Sequence, residues 1–412
     1  MDFVSAQVTW VLVVTPLVGL ALTTLVLQGI GRSEESSAPR RAHAWRTFPP
    51  HAVRADITGE VVDTAGVEER FSWRLVPIRA IAIVATVGFG GAMGTEAPAA
   101  YLGVGAGACL GDRGRRWRAL LRPAAVGGGA AGVAALMGIA LVGTFYMLEI
   151  GRRHRAPFSA ERVIAAVIGG LVGWGINMAL GLDLIRLIVP EEPPSDLLQA
   201  VKTALFIGLL SGVITALAGA AIYQAKKWRA APHIRLALGG LAAALTAVTL
   251  VIVAAPSAAV GPGGGSILWA ENTGPLPPAL LAVAVLRALA TISAAAAGGC
   301  GGIFVPFLAI GDIGGRVFAP GLDVGKDLAG AAGAAGGIAG GYRLPLTAVA
   351  MVLGLGGPRV ATLTCLAAVA VAALAGWAAG RTVDRVSKLP YLWKRRGRVS
   401  AAPERHHGAA AR

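Results

Sequence analysis

Glu96 is the charged residue most suited to chemistry, because it lies inside a long apolar stretch, between Thr95 and Ala97 and just before Pro98. Proline is favoured in the first turn of a helix, so the carboxylate is expected at a helix N-terminus. Free N–H groups and the positive end of the helix dipole attract anions there. A carboxylate could occupy such a site when ionised and leave it when protonated. We interpret Glu96 as a gate and proton acceptor; the alternative is an N-terminal carboxylate that faces water.

Two glycine-rich stretches, one in each half of the chain, each end in a proline. The first reads GFGGAMGTEAP and ends at Pro98, and the second reads GGCGGIFVP and ends at Pro306. Irregular backbone inside a membrane is tolerated only where it lines a cavity or is buried in protein. Two helix N-termini that converge from such breaks would form an anion site from backbone N–H groups alone. The glycines just before the prolines, such as Gly94 and Gly302, are therefore candidate anion-binding positions.

Glu149 is a second candidate for proton chemistry, since it ends the apolar run LVGTFYMLE. The alternative is an interfacial glutamate that pairs with Arg152 and Arg153. The three cysteines are scattered and the six histidines lie in polar segments, which predicts neither a disulfide framework nor a metal site. No nucleophile–base pair is evident either. We therefore predict no enzymatic activity and no cofactor.

The elements that carry these residues are predicted from apolar runs. Of 412 residues, 55% are hydrophobic and only 14% are charged, which is too apolar for the surface of a soluble protein. Several of the runs approach the roughly 20 residues that a spanning helix needs. The runs cover residues 8–31, 76–91, 126–148, 163–189, 204–223, 236–255, 280–297 and 360–379. The sequence predicts a polytopic all-α membrane protein whose main partner is the lipid bilayer.

Polar breaks divide the predicted membrane region. Residues 32–74 form the longest polar stretch, a second break falls at 190–196, and a third, at 256–278, contains GPGGG and is expected to be a loop. These boundaries predict a first membrane repeat over residues 1–190, with the polar loop inside it, and a second over residues 191–380.

Residues 381–412 are strongly basic. They hold nine Lys or Arg against Asp384 and Glu404, in a chain whose formal net charge is +15. The positive-inside rule places such a tail in the cytoplasm, and we expect a multi-pass protein of the plasma membrane. Nucleic-acid binding is the rival interpretation of the tail, but no nucleic-acid fold accompanies it, so no nucleic-acid partner is predicted.

An internal duplication is indicated by a shared spacing. Both glycine-rich stretches continue as P-x4-G-x3-G, from Pro98 to Gly107 and from Pro306 to Gly315, at an offset of 208 residues (306 − 98). The same offset maps Gly128, Gly129, Ala131 and Gly132 onto Gly336, Gly337, Ala339 and Gly340. The abundance of glycine, with 58 residues, leaves chance coincidence as the alternative. The spacing also predicts close helix packing at Gly103, Gly107, Gly311 and Gly315.

Three motifs resemble those of the CLC family of chloride channels and chloride–proton antiporters. GGIFVP at 301–306 is similar to the family's GGIFxP, and GTEAP at 94–98 resembles its GxEGP, whose glutamate is the gate. YRLPLT at 342–347 resembles its RAPLT stretch. The resemblance covers roughly residues 8 to 390 and suggests a divergent, short, prokaryotic-type member. It implies a fold of antiparallel inverted repeats whose broken helices meet at the membrane midplane.

The resemblance also implies a homodimer with one anion pathway per subunit. The anion would be held by the N–H groups of Ile303 and Phe304, with Glu96 as the gate. A C-terminal tyrosine of the family corresponds to Tyr391, with the register off by one. The candidate anion-binding positions are then Gly94, Thr95, Gly302, Ile303, Phe304 and Val305, with Tyr391 as a further candidate.

The chain departs from the family pattern in its first half. The GSGIP signature, which supplies a serine to the anion, has no match, so no serine is assigned. Thr95 stands in place of an arginine, and Ala97 in place of a glycine. The family's proton-handling glutamate aligns with Ile150, one position after Glu149, and one residue is about 100° of helix rotation. From this resemblance we expect the chain to begin at the family's third helix and to lack its regulatory domain pair.

We therefore predict CLC-like transport of chloride or a similar small anion, gated by Glu96 and coupled weakly or not at all to protons. Glu149 stays the candidate for a proton pathway. One alternative is a proton-coupled antiporter. Another is a degenerate, non-transporting membrane scaffold, which the unmatched serine segment motivates.

Overall fold

The structure is a computed structural model that describes residues 9–27, 76–112, 120–153, 158–182, 196–228, 230–356 and 362–400. Within these ranges the chain forms helices and turns, apart from one isolated β-bridge. The polar stretch predicted at 32–74 lies outside the described residues, as does most of the break predicted at 190–196. Asp196 at the end of that break is described, and its side chain accepts a hydrogen bond from the N–H of Leu198 at the start of the next helix.

Six helices form the first half of the described chain. They are α1 (Thr9–Leu25), α2 (Val76–Ile83, continued as a π-helix over Val84–Gly88), α3 (Glu96–Asp112), α4 (Leu121–Met137), α5 (Ala140–Arg153) and α6 (Ala160–Leu180). Gly138 ends α4 with a positive φ of 68°, a conformation that glycine adopts without strain. The apolar run at 126–148 is therefore divided between α4 and α5.

Nine α-helices and one short 3-10 helix (Pro320–Leu322) form the second half of the described chain. The α-helices are α7 (Leu197–Lys227), α8 (Pro232–Val253), α9 (Pro256–Ala259), α10 (Gly264–Thr273), α11 (Pro277–Ala297), α12 (Phe304–Arg316), α13 (Lys326–Tyr342), α14 (Pro345–Gly356) and α15 (Leu363–Ser400). The prediction of a loop throughout 256–278 was wrong, because α9 and α10 lie within it. Pro256 begins α9, where a missing N–H costs nothing. Within 256–278, the residues with a positive φ are Gly261, Gly263 and Gly274.

Helices long and apolar enough to cross a membrane confirm the polytopic all-α class. Within the described residues there are five, at Ala160–Leu180, Leu197–Lys226, Pro232–Val253, Pro277–Ala297 and Leu363–Val386. Large apolar side chains on them, such as Leu171, Leu241 and Ile252, are exposed on the isolated chain. Exposed apolar surface of this kind suits contact with lipid tails. The basic segment predicted from residue 381 begins within α15, which continues as a helix to Ser400.

Helix α13 lies at the centre of the second half and packs against α7, α12 and α15. Its sequence, KDLAGAAGAAGGIAGGY, is mostly alanine and glycine, and nearly all of it is buried. A side chain at Gly336 would run into the backbone of Gly208 on α7, and one at Gly340 into that of Gly212. Small residues therefore let these helices approach backbone to backbone, as membrane helices commonly do.

The same packing occurs in both halves. Gly103 of α3 lies against the backbone of Gly128 of α4, and in the second half Gly311 of α12 lies against that of Gly333 of α13. Gly107 with Ala124, and Gly315 with Ala329, form the next pair of contacts. The close packing predicted for the x3-spaced glycines is confirmed.

The register of the second repeated stretch differs from the prediction. The first helix of each pair keeps the offset of 208 (311 − 103), but the second helix has an offset of 205 (333 − 128). The gapless match of Gly128 to Gly336 is therefore wrong by three residues. The contacting residues of the second half are 22 positions apart (333 − 311), three fewer than the 25 of the first half (128 − 103).

Candidate functional site

The two glycine-rich breaks meet at a reciprocal pair of hydrogen bonds. The N–H of Gly94 donates to the carbonyl of Gly302, and the N–H of Gly302 donates to that of Gly94, both at 2.7 Å. These two positions are themselves related by the offset of 208 (302 − 94). A self-complementary contact between equivalent residues is what an approximate two-fold axis between the repeats produces. The predicted convergence of the two breaks is thus present in the structure.

Both helices that leave this junction begin in the same way. Helix α3 starts at Glu96 and helix α12 at Phe304, and each has a proline as its third residue. The N–H groups of a helix's first turn have no partner within the helix. No side chain caps the N-terminus of α12 at Ile303. The junction therefore gathers backbone donors from two helix N-termini, each of which has a proline, without an N–H, as its third residue.

The Glu96 side chain occupies the junction. It is 1% exposed; a side chain at Gly94 would run into its carboxylate, and one at Gly302 would make a tight contact with it. The N–H groups of Thr95, Glu96 and Val305 are the backbone donors that interact with it electrostatically. These N–H groups lie near the carboxylate, but by hydrogen-bond geometry neither of its oxygens has a partner among the described residues. This burial argues against a carboxylate that faces water.

The other candidate positions line the same junction. Gly94, Gly302, Phe304 and Val305 are buried, while Thr95 and Ile303 are partly exposed. Tyr391 lies on α15, and its side chain is outside the part of the chain that the structure describes, so its assignment stays a prediction. Among the described residues, no three His, Cys, Asp or Glu side chains gather in a way that could hold a metal ion.

Two tyrosines at the junction were missed from the sequence. The N–H of Ile303 donates to the hydroxyl oxygen of Tyr342 at 3.5 Å. Tyr146 packs edge-on against Phe304 with ring centroids 6.0 Å apart, and its fully buried hydroxyl has no partner among the described residues. Tyr146 lies in the middle of an apolar run, which indicates a buried hydroxyl that requires a partner but does not say where that partner lies.

Hydroxyl groups on the first two helices hold the breaks in place. Thr86, in the π-helical end of α2, accepts a hydrogen bond from the N–H of Cys300 at 3.0 Å. The same hydroxyl shares a hydrogen bond of 2.7 Å with that of Thr23 on α1. The N–H of Gly261 donates to the carbonyl of Gly90 at 2.8 Å. These bonds satisfy polar groups of irregular backbone that would otherwise be costly to bury.

Glu149 lies at the N-terminus of α14. Its carboxylate accepts from the N–H of Leu346 at 2.9 Å and from both the N–H and the hydroxyl of Thr347, at 2.8 and 2.7 Å. A carboxylate at this position satisfies first-turn donors and complements the helix dipole. The neighbouring Ile150 is 1% exposed within the apolar core.

Comparisons with known proteins agree with this arrangement. A family model described as "Voltage gated chloride channel" matches residues 42–376. The chain is 27% identical over 326 residues to the H+/Cl− exchange transporter ClcA of Vibrio parahaemolyticus, covering 74% of this chain and 68% of that protein. It is 26% identical over 301 residues to ClcA of Yersinia pestis, covering 68% of this chain but only 60% of that protein.

Solved structures share the fold. The crystal structure of a CLC-type fluoride/proton antiporter has a TM-score of 0.65 at 20% identity, covering 90% of this chain and 95% of that one. The structure of a slow cyanobacterial Cl−/H+ antiporter has a TM-score of 0.61 at 20% identity, covering 91% and 98%. The predicted antiparallel inverted repeat with broken helices is confirmed. Since the family model also matches most of the chain, this protein belongs to the CLC family of voltage-gated chloride channels and related transporters.

Proposed function

We propose that this protein transports chloride or a similar small anion across a membrane, that Glu96 gates the pathway, and that coupling to protons is weak or absent. The observation that carries the proposal is the position of the Glu96 carboxylate, buried where two helix N-termini meet. Backbone donors at such a junction favour any anion. The ionised carboxylate therefore competes with a transported anion for the same donors, and protonation removes that competitor.

Neutral donors suit transport better than fixed charges. The N–H groups of Ile303, Phe304 and Val305 lie at or next to the first turn of α12 and carry only partial charges. A transported ion must be bound well enough to enter the pathway and weakly enough to leave it. A buried, unpaired carboxylate is costly when ionised, which gives Glu96 a reason to change its protonation or position.

The surroundings of Glu149 support weak coupling. Its carboxylate is engaged by three donors of α14, and the position that the family resemblance assigns to a proton-handling glutamate is the apolar Ile150. Proton-coupled antiport is the second candidate function, because both bacterial relatives and both solved structures are described as proton exchangers or antiporters. A non-transporting scaffold has less support, since both helix N-termini and the gate position are intact.

The assembly and location that we propose follow the family. The protein is a homodimer in the plasma membrane, with one anion pathway in each subunit. Its C-terminus is cytoplasmic, as the basic residues beyond position 381 indicate.

Flux from liposomes tests the proposal. Purified protein is reconstituted in vesicles loaded with potassium chloride, and chloride and proton movements are recorded together after addition of valinomycin. Wild type is expected to release chloride at a rate that depends on pH. Glu96→Gln cannot ionise, so its chloride flux should lose that dependence. Glu161→Gln, at an exposed glutamate on α6, is the matched control and should behave as wild type.

Three outcomes oppose parts of this proposal. Well-folded wild-type protein that moves no anion would favour the scaffold. Proton counterflow in fixed ratio to chloride would favour the antiporter and contradict weak coupling. An unchanged pH dependence in Glu96→Gln would remove Glu96 as the gate.

A further inference from the structure

We propose that the hydroxyl groups of Tyr146 and Tyr342 are the side-chain hydrogen-bond donors to the transported anion, and that they set its selectivity. This inference rests on the proposed function and deepens it. The two tyrosines come from α5 in the first half and α13 in the second, and both approach the start of α12.

Tyr342 is held with its hydroxyl at the junction. It is the last residue of α13, it is 3% exposed, and its hydroxyl oxygen lies 3.5 Å from the N–H of Ile303. Its ring lies 5.5 Å from that of Phe304 and 5.8 Å from that of Phe307. These aromatic contacts fix the direction of the side chain. The hydroxyl therefore lies beside a backbone donor of the proposed anion site.

The end of α13 is itself anchored. Arg343 follows Tyr342 with a positive φ of 66° and ends the helix. Its guanidinium donates to both carboxylate oxygens of Asp384 on α15, at 2.8 and 2.9 Å. A bidentate pair of this kind restricts position as well as contributing energy. The ion pair thus restricts the position of the backbone that carries Tyr342.

Tyr146 approaches Phe304 from the first half of the chain, and its hydroxyl is buried without a partner among the described residues. The whole residue is fully buried, and its ring packs edge-on against that of Phe304. The hydroxyl is close enough to Tyr342 and Glu96 to interact with both electrostatically. A buried hydroxyl without a partner is unfavourable. An anion beside Ile303 would accept its hydrogen bond and remove that cost.

The chemistry of a hydroxyl makes this pair suitable for selection. Both hydroxyls are neutral, and each can donate one hydrogen bond to an anion. Tyr342 now accepts from Ile303 and would rotate its hydrogen towards the ion. Hydrogen bonds to a charged group are stronger than neutral ones. Small anions with concentrated charge gain most, so the pair should favour chloride over a diffuse anion such as thiocyanate.

Phenylalanine substitutions test the proposal because they keep the rings and remove only the hydroxyls. Chloride binding to purified full-length protein is measured by titration calorimetry, and chloride and thiocyanate fluxes are measured in liposomes. Tyr146→Phe and Tyr342→Phe are each expected to weaken chloride binding about tenfold, which corresponds to one hydrogen bond to an ion. Each should also lower the ratio of chloride to thiocyanate flux. Tyr223→Phe, at an exposed tyrosine on α7, is the matched control.

The outcomes separate this inference from the proposed function. If wild type neither binds nor moves an anion, the proposed function fails and this inference fails with it. If wild type binds chloride and both variants keep its affinity and flux ratio, the tyrosine donors are disproved while the proposed function stands. Should Tyr146→Phe fail to fold, Tyr342→Phe is judged by the same criteria.

Discussion

At the scale of single residues, Glu96 is buried, Glu149 is half-buried, and the two carboxylates differ in their hydrogen bonding. Glu96 has no hydrogen-bond partner among the described residues, whereas Glu149 accepts from three donors of α14. A carboxylate with no partner gains by protonation or by movement, while one that accepts hydrogen bonds from a helix N-terminus is held in place. We therefore propose a gating role for Glu96 and a structural role for Glu149.

The structural role of Glu149 predicts a loss of stability on substitution. Glu149→Ala removes the acceptors of three hydrogen bonds and should lower the free energy of unfolding by about 1–3 kcal/mol. Glu149→Gln keeps one acceptor oxygen and should lose less. Thermal unfolding in detergent measures both changes. A variant of normal stability that loses proton movement alone would instead place Glu149 in a proton pathway.

Residues of the anion site could be predicted from sequence only where the signal is local. The glycine–proline breaks at 94–98 and 301–306 identified the junction because helix starts are encoded within a few residues. Tyr146 and Tyr342 are 196 positions apart (342 − 146), and each approaches α12 through packing that no short motif encodes. Their recognition required the tertiary structure.

At the scale of helices, glycines decide how closely neighbouring backbones pack. Two glycines of α12 differ in the space around them. A side chain at Gly311 would run into the carbonyl of Gly333, whereas one at Gly314 would meet nothing within 4 Å. The sequence predicted close packing for Gly311 from its spacing, but could not distinguish the glycines that touch a backbone from those that do not.

This contrast predicts opposite effects for one substitution. Gly311→Ala should destabilise the protein by about 1–3 kcal/mol, because α12 and α13 must move apart. Gly314→Ala is the matched control and should be neutral or stabilising by up to about 1 kcal/mol, since alanine is the better helix former. Thermal unfolding of the two purified variants checks both. Equal stability of the pair would show that α12 and α13 are not packed as described.

Helix boundaries were predicted less well than helix existence. Gly138 divides α4 from α5 within one apolar run, and α9 and α10 occupy a glycine-rich segment expected to be a loop. Composition cannot locate a break whose two flanks are both apolar. Nor can it exclude short helices when packing stabilises them.

At the scale of the whole molecule, two antiparallel halves supply unequal parts of one site. Gly94 and Gly302 pair reciprocally. Helix α5 packs against α14, with Glu149 at the start of α14 and Ile139, just before α5, beside Gly354 near the end of α14. The offset of 208 places Glu96 opposite Phe304 (304 − 96). One repeat thus contributes the carboxylate of Glu96, and the equivalent position of the other contributes the backbone N–H and the aromatic ring of Phe304.

This asymmetry has a physical advantage. Two carboxylates at equivalent positions would repel each other in a buried site and exclude a transported anion. With phenylalanine at position 304, both helix N-termini remain while only one charge competes for them. The duplication itself was predictable from the spacing of Pro98 and Pro306. The three-residue shift between the repeats was not, since no local sequence pattern indicates how many residues separate two positions that pack against each other.

The central claim is that the helix N-termini at this junction hold an anion. Bromide scatters anomalously and substitutes for chloride, so a crystal structure of Glu96→Gln grown in bromide tests the claim most directly. We predict an anomalous peak within hydrogen-bonding distance of the N–H groups of Ile303 and Phe304. A well-ordered junction with no peak there, and bromide bound elsewhere in the membrane region, would contradict it.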